Sequence, residues 1–188
     1  LEQVDTSSFL TPGNKILYEI YKDKDGKLWV SAFDVESFII DIRDYIVQKY
    51  PLPDLRNQLK ANPAINSLCK DEDGIFWFSQ DRYGLCIYDS RKEKLKHYSQ
   101  CQGTRNLPFG DVTNIARSYN HNWIWATSYG PTVFGLSQQN MEMKEDVRIE
   151  LGNVTNNPGL ITSLFEDPQN NLWIGTTTGL FVYRIMSA

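Results

Sequence analysis

Histidine, cysteine and clustered basic residues are scarce in this chain of 188 residues, which has two histidines and three cysteines. The odd cysteine count, without a Cys-x-x-Cys pair, excludes a disulfide framework and a zinc ribbon. The formal net charge of -4 argues against a nucleic-acid partner, because phosphate binding needs clustered lysine and arginine. We therefore expect no metal, no cofactor and no nucleic acid.

Long apolar runs are also absent. No segment approaches the roughly 18 consecutive apolar residues that span a bilayer, so we expect no membrane contact from this segment. The chain begins at Leu1 without a signal peptide, which predicts an internal fragment whose targeting segment lies elsewhere. Aromatic residues make up 13% of the chain, and such a content favours strands over helices.

What the chain does have is a repeat. The residues Trp29, Trp77, Trp125 and Trp173 each lie 48 positions after the one before. Asp-Gly precedes the tryptophan in the first two copies, and Asn122 or Asn170 precedes it in the others. These residues enter positive φ at little cost, which predicts a tight hairpin turn before each tryptophan. Short runs of strand-forming residues lie on both sides of the turn. The predicted fold is therefore all-β, a partial β-propeller of about four four-stranded antiparallel blades whose last blade is incomplete.

The repeat register also predicts the blade boundaries. The blades are expected at 15–52, 63–100, 110–151 and 159–185, with 1–4 as a leftover outer strand. In the third copy the register slips by one residue, since Val112 lies 13 positions before its tryptophan where the other copies have 12.

Two segments are less clear in this register. The segment 35–50 could equally be an amphipathic helix, although the register places a fourth strand near 45–50. The segment 54–60 is expected to form a short helical turn.

The four repeat tryptophans allow two interpretations. They could form a row of sugar-stacking rings, or they could pack between adjacent blades. We favour packing, because each ring lies in the middle of a strand with apolar neighbours. By the same register Cys69 is expected to be a small buried hydrophobic residue.

The segments 161–183 and 65–88, with Trp173-Ile174-Gly175-Thr176 followed by Gly179-Leu180 in the better copy, resemble the two-component regulator propeller repeat. The first copy lacks the Gly-Leu step, and the third has Gly130-Pro131 instead. The resemblance implies a periplasmic sensor domain of a hybrid histidine kinase from Bacteroides-like bacteria, which controls polysaccharide utilisation. Its implied partners are an oligosaccharide or other small ligand, and further blades and signalling domains of the same protein. Such propellers usually have about seven blades, which implies a fragment.

Catalytic chemistry is not expected in this segment. Asp23, Asp25 and Gly26 look loosely like a calcium loop or the Asp-box of sialidases, but a calcium loop needs more oxygen ligands and a terminal glutamate. Acids that repeat with the blades cannot converge on one sugar bond as a glycosidase requires. Neither His97 nor His121 belongs to a visible nucleophile and base pair. A propeller enzyme acting on carbohydrate and a purely structural or dimerisation module remain the alternatives to a sensor.

The variable connections of the blades are the expected ligand face, since loops on a rigid scaffold commonly carry function. Side chains there that offer charge, hydrogen bonds or an aromatic ring are the candidate ligand-binding residues Arg82, Tyr83, Arg105, Ser128 and Tyr129. The open edges of the first and last blades are expected to promote self-association, or the last blade is closed by Leu1–Val4.

Overall fold

The chain folds into four separate antiparallel sheets, one for each sequence repeat. The computed structural model describes residues 17–23, 25–32, 38–41, 46–49, 65–80, 84–98 and 111–186. None of these residues belongs to a helix that is long and apolar enough to cross a bilayer. The predicted all-β class is confirmed, and the sheets are named blades 1 to 4 in chain order.

Blades 1 and 2 are meanders in which each strand pairs with the next along the chain. Blade 1 contains β1 (Leu17–Lys22), β2 (Lys27–Ala32), β3 (Phe38–Asp41) and β4 (Ile46–Lys49). Blade 2 contains β5 (Ile65–Lys70), β6 (Phe76–Gln80), β7 (Gly84–Asp89) and β8 (Lys94–Tyr98). The helix alternative for 35–50 is wrong over 38–41 and 46–49, and β4 lies where the register placed a fourth strand. The predicted strand 1–4 and the helical turn 54–60 fall outside the described residues.

Blades 3 and 4 differ in their outer strands. Blade 3 contains β9 (Asn114–Arg117), β10 (Ile124–Thr127), β11 (Thr132–Gln139) and β12 (Glu142–Glu150), followed by a 3-10 turn at Leu151–Asn153. Blade 4 contains, among the described residues, the three strands β13 (Ile161–Glu166), β14 (Asn171–Thr176) and β15 (Gly179–Arg184). The long β11–β12 hairpin pairs Thr132–Gln139 with Glu142–Glu150, and Asn140 and Met141, which both take positive φ, close its tight turn.

An aspartate opens the first hairpin of blades 1, 2 and 4. Asp23, Asp71 and Asp167 each accept, through Oδ1, the backbone N–H of the residue four positions later, at 2.9, 2.8 and 3.0 Å. The backbone N–H of each aspartate donates to the carbonyl of that same residue. The left-handed turn position is filled as predicted in these blades, by Gly26, Gly74 and Asn170, with φ of 81°, 78° and 63°.

Blade 3 closes the same hairpin with one more residue. Ser118 takes the place of the aspartate, and its N–H donates to the carbonyl of Trp123, five residues later. The one-residue slip of the third repeat therefore lies in this turn. The expectation of a left-handed Asn122 is wrong, since none of the residues 118–123, all of them described, has a positive φ. The wider turn reverses the chain without one.

Blades 1, 2 and 3 each bury their repeat tryptophan under the blade that follows. We define the presenting face of a sheet as the side that carries the tryptophan, and the receiving face as the other side. Three clusters cross the blade boundaries and join Trp29 to Leu68 and Phe78, Trp77 to Ile115 and Ile124, and Trp125 to Leu172 and Ile174. The packing interpretation is confirmed for these three tryptophans, whereas Trp173 of blade 4 is 37% exposed. Cys69 is buried, as predicted.

Candidate functional site

The connections of the blades lie at two opposite ends. The turns that carry Asp23, Asp71, Ser118 and Asp167 mark one end, which we call the aspartate end. At the other end, the variable end, backbone hydrogen bonds tie the connections together. Thr113 N–H donates to Thr127 O at 2.8 Å, Leu151 N–H to Pro131 O at 2.9 Å and Thr177 N–H to Leu160 O at 2.9 Å.

Two of the five predicted ligand-binding residues lie together at the variable end. Ser128 and Tyr129 form the bend between β10 and β11, where Ser128 Oγ accepts the N–H of Gly130 at 3.3 Å. This hydrogen bond holds the bend, and the Tyr129 side chain is 62% exposed. Arg82, Tyr83 and Arg105 lie outside the described residues, so their placement in a ligand site stays a prediction.

Blade 4 adds a cluster of threonine hydroxyls at the same end. Thr176 Oγ1 accepts the backbone N–H groups of Thr178 and Gly179 at 3.3 and 3.1 Å. Thr178 Oγ1 donates to Asn157 O at 3.3 Å, which ties the β14–β15 turn to the connection between blades 3 and 4. Leu160 N–H donates to Thr177 Oγ1 at 3.1 Å, so all three hydroxyls take part in hydrogen bonds that hold this turn, and we call Thr176, Thr177 and Thr178 the threonine rim. The visible signal in the sequence is the Thr176-Thr177-Thr178 run.

At the aspartate end the carboxyl groups are occupied by their own turns. Asp23 and Asp71 each accept, through Oδ2, the indole N–H of their repeat tryptophan at 2.8 Å, and Asp167 accepts that of Trp173 at 2.9 Å. Their arrangement matches the structural interpretation of these acids. Over the described part of the chain, no three His, Cys, Asp or Glu side chains come together in a group that could hold a metal ion.

The aspartate that opens the first hairpin has a raised pKa in blade 2 and a lowered pKa in blade 4. Burial raises the pKa of Asp71, and this effect outweighs the hydrogen bonds from Trp77 and the Ile75 backbone. At Asp167 burial also acts to raise the pKa, but hydrogen bonds from Asn171 and Trp173 outweigh it and lower the pKa to about 2. The difference follows from position, because blade 3 covers Asp71 whereas no described blade covers Asp167.

Blade 3 has no aspartate for its tryptophan and takes a carboxyl group from blade 4. Glu166 Oε2 accepts the indole N–H of Trp125 at 2.6 Å and the hydroxyl of Ser118 at 2.7 Å. Glu166 Oε1 accepts the backbone N–H of Asn120 at 3.2 Å. The sequence interpretation missed this residue.

A signal for Glu166 is nevertheless present in the repeat. The residue directly before the aspartate or serine that opens each hairpin is basic in the first three copies and acidic in the fourth. These residues are Lys22, Lys70, Arg117 and Glu166. The acid therefore appears next to the one copy whose own acid is replaced by serine.

Comparison with known proteins agrees with the repeat and the fold. A family model described as two component regulator propeller matches residues 157–178. A search of curated proteins finds no match.

Three similar solved structures are two extracellular domains and one β-propeller domain. The extracellular domain of the putative hybrid two component system BT4673 from B. thetaiotaomicron is 21% identical, with a TM-score of 0.64 over 98% of this chain and 23% of that one. The corresponding domain of BT3049 from the same organism is 22% identical, with a TM-score of 0.59 over 90% of this chain and 23% of that one. The β-propeller domain of Cps50 (Swd1) from Myceliophteria thermophila is 12% identical, with a TM-score of 0.57 over 84% of this chain and 54% of that one.

The chain thus spans about a quarter of the length of the two Bacteroides domains, at 23% of each. The structural likeness establishes the fold, and the match at 157–178 confirms the resemblance of the repeat. The chain is an array of β-propeller blades that carries a two component regulator propeller repeat in its fourth blade.

Proposed function

We propose that this chain is part of a periplasmic sensor propeller of a hybrid two-component system, which binds a carbohydrate-derived ligand and relays binding to a histidine kinase. The observation that carries the proposal is the variable end of blades 3 and 4, where the exposed Tyr129 lies on the same end as the threonine rim. The regulator propeller repeat at 157–178 and the likeness to extracellular domains of putative two component systems support the sensor role.

The chemistry of this end suits a sugar. A sugar ring has an apolar face of C–H groups and a rim of hydroxyls, and ligand sites commonly pair an aromatic surface with a few placed polar groups. Tyr129 offers an exposed ring with a phenolic hydroxyl. Thr132 and Glu150, joined by a hydrogen bond of 2.6 Å, mark the strand ends below this bend and add further polar groups.

The position of this end also suits a relay. The bend at Ser128 and Tyr129 belongs to blade 3, and the threonine turn belongs to blade 4. A ligand that contacts both would favour one relative placement of the two blades, and a ligand shifts an equilibrium by its differential affinity for the two states. The connection 151–160, which hydrogen bonds to both blades, is the segment through which such a change would pass.

The enzyme alternative has less support from the described carboxyl groups. Glycoside hydrolysis requires two carboxyl groups that face one sugar bond. Asp23, Asp71 and Asp167 lie instead at the aspartate end, each bound to its own turn and tryptophan. A binding role therefore accounts for the variable end better than a hydrolytic one.

The test compares two tyrosines of equal exposure at opposite ends. Tyr129 is 62% exposed at the variable end, and Tyr119 is 61% exposed at the aspartate end. The protein is titrated with neutral and acidic oligosaccharides from hydrolysed polysaccharides, and binding is followed by amide NMR shifts. We expect Tyr129→Ala to weaken binding about tenfold, equivalent to about 1.4 kcal/mol, and Tyr119→Ala to leave it unchanged. Equal effects of the two variants, or shifts confined to the aspartate end, would contradict the proposal.

A further inference from the structure

The variable end of blades 3 and 4 carries charge of one sign. The residues that form this end lie in 111–114, 127–133, 149–162 and 175–180. The structure describes all of them, and the charged ones are Asp111 and Glu150. The other polar side chains in these ranges are hydroxyls and asparagine amides. A ligand that lies across blades 3 and 4 therefore meets two carboxylates and neutral polar groups.

Asp111 lies beside the start of the bend that carries Tyr129. Two residues after Asp111, the backbone N–H of Thr113 donates to Thr127 O at 2.8 Å, and the hydroxyls of the two threonines lie 3.0 Å apart. Thr127 is the last residue of β10, directly before the bend. These contacts hold the segment that contains Asp111 against the bend.

Glu150 lies beside the other end of the bend, where a hydroxyl holds its carboxylate. Thr132 Oγ1 donates to Glu150 Oε2 at 2.6 Å. The next residue, Leu151, donates its backbone N–H to Pro131 O at 2.9 Å. The Glu150 side chain is 38% exposed, so its second oxygen, Oε1, can accept a hydrogen bond from a ligand.

The basic residue closest to Glu150 in the same strand, Arg148, is bound mainly to another acid. Its Nη1 lies 3.8 Å from Glu150 Oε1, which is longer than the roughly 2.7 to 2.9 Å of a charge-assisted hydrogen bond. Its guanidinium donates to both carboxylate oxygens of Glu145, at 2.8 and 2.9 Å, and lies over the Phe134 ring. Glu150 therefore keeps its negative charge and one acceptor at the variable end.

We propose that this site selects uncharged sugars over uronic acids, and that Glu150 is its main specificity-determining residue. The inference rests on the proposed ligand site at Tyr129 and names the ligand class of that site. A carboxylate accepts strong hydrogen bonds from hydroxyl groups, which a neutral sugar supplies. A uronic acid would instead place a second carboxylate beside Glu150 and Asp111, and like charges side by side oppose binding.

Binding of matched sugar pools tests the ligand class. Tetrasaccharide pools from uronate-containing polysaccharides are titrated before and after chemical reduction of their carboxyl groups, so that each pair differs only at that group. Amide NMR shifts of the 188-residue chain locate the binding and give the affinity. We expect the reduced pools to bind at the variable end at least about tenfold more tightly than the unreduced pools. This preference should shrink as salt rises from about 0.05 to about 0.5 M, because salt screens the repulsion.

Two variants each remove one charge at nearly constant size. Glu150→Gln and Asp111→Asn are each expected to raise the affinity for unreduced pools about threefold, the effect of one like charge about 6 Å away in water. Glu150→Gln is also expected to lower the affinity for reduced pools about threefold, because a neutral acceptor binds hydroxyls less strongly.

Glu145→Gln is the matched control, since it removes the same charge from the same strand. Glu145 lies five residues before Glu150 in β12, about 15 Å along the strand, which exceeds the Debye length of about 10 Å at about 0.1 M salt. We expect this variant to change neither affinity. Far-UV circular dichroism checks that all variants are folded.

The possible failures of the two proposals differ. Unreduced pools that bind at the variable end as tightly as reduced pools would overturn the inference and leave the ligand site standing, above all if Arg82→Ala or Arg105→Ala abolished that binding. A preference that neither Glu150→Gln nor Asp111→Asn changes would overturn the inference in the same way. Reduced pools that produce no shifts at the variable end would overturn both the ligand site and its ligand class.

Discussion

Glu166 of blade 4 accepts hydrogen bonds from blade 3, and we expect its removal to destabilise the protein. Replacing Glu166 with alanine leaves two buried donors without an acceptor, the indole N–H of Trp125 and the hydroxyl of Ser118, which now bond to it at 2.6 and 2.7 Å. Each buried donor left unsatisfied costs about 1 to 3 kcal/mol. We therefore expect Glu166→Ala to lower the free energy of unfolding by about 2 to 6 kcal/mol.

The isosteric variant separates hydrogen bonding from packing. In Glu166→Gln the amide oxygen can keep the contacts to Trp125 and Ser118, while the amide nitrogen then faces the N–H of Asn120, which now donates to Glu166 at 3.2 Å. One lost acceptor predicts a smaller decrease of about 1 to 3 kcal/mol. Glu145→Ala is the control, since Glu145 binds Arg148 on the exposed outer strand and such pairs contribute about 0 to 1 kcal/mol.

Urea denaturation followed by far-UV circular dichroism measures the free energies, and the indole N–H resonance of Trp125 in proton–nitrogen NMR reports the bond itself. A double-mutant cycle adds Ser118→Asp, which restores the acid of the other blades, and Glu166→Lys, which restores their basic neighbour. Ser118→Asp alone should destabilise the protein, because it places two acids side by side, and the double variant should recover part of the loss. If Glu166→Ala changed stability no more than Glu145→Ala, or if the two restoring changes were additive, the reasoning would be refuted.

Two further predictions follow from burial. Carbon NMR titration of the side-chain carboxyls should show Asp71 protonating at higher pH than Asp167, whose pKa is lowered from 3.8 to about 2. The stabilisation by Asp167 is then lost as the pH falls from about 4 through about 2, whereas protonation of Asp71 favours the folded state; the reverse order would contradict this. Leu85→Ala should cost about 2 to 5 kcal/mol, and Leu180→Ala within about 0.5 kcal/mol in urea denaturation of the monomer, because Leu85 is buried and Leu180 exposed; similar losses would contradict the assignment of the faces.

Much of the fold could be predicted from the repeat because its local signals agree with each other. A turn residue, an apolar strand and a tryptophan at constant spacing determine a hairpin, and hairpins repeated at that spacing build blades. The segment 35–50 shows the limit of local pattern. Its apolar residues fit a helix or a strand equally well, and only pairing of Phe38–Asp41 with the neighbouring strands decides for the sheet.

The candidate site could be predicted only in part. Position in the connection between β10 and β11 is enough to place Ser128 and Tyr129 at the variable end. The threonine rim could not be placed from the sequence, because its position depends on a contact between the β14–β15 turn and the connection before blade 4. That contact joins Thr178 to Asn157, which are 21 residues apart. Local pattern contains no information on such pairings, since they are made by the docking of one blade on the next.

The tryptophan repeat shows most clearly what the sequence by itself determined and what only the tertiary structure decided. Spacing alone determined four blades, with one tryptophan and one hairpin turn in each. The burial of each ring depends on whether another blade packs on it. Blade 3 covers Trp77, which is buried, whereas Trp173 lies on the last described blade and is exposed. The acceptor for Trp125 was also decided between blades, because a buried indole N–H needs a partner and Glu166 is the acid that docking brings within reach.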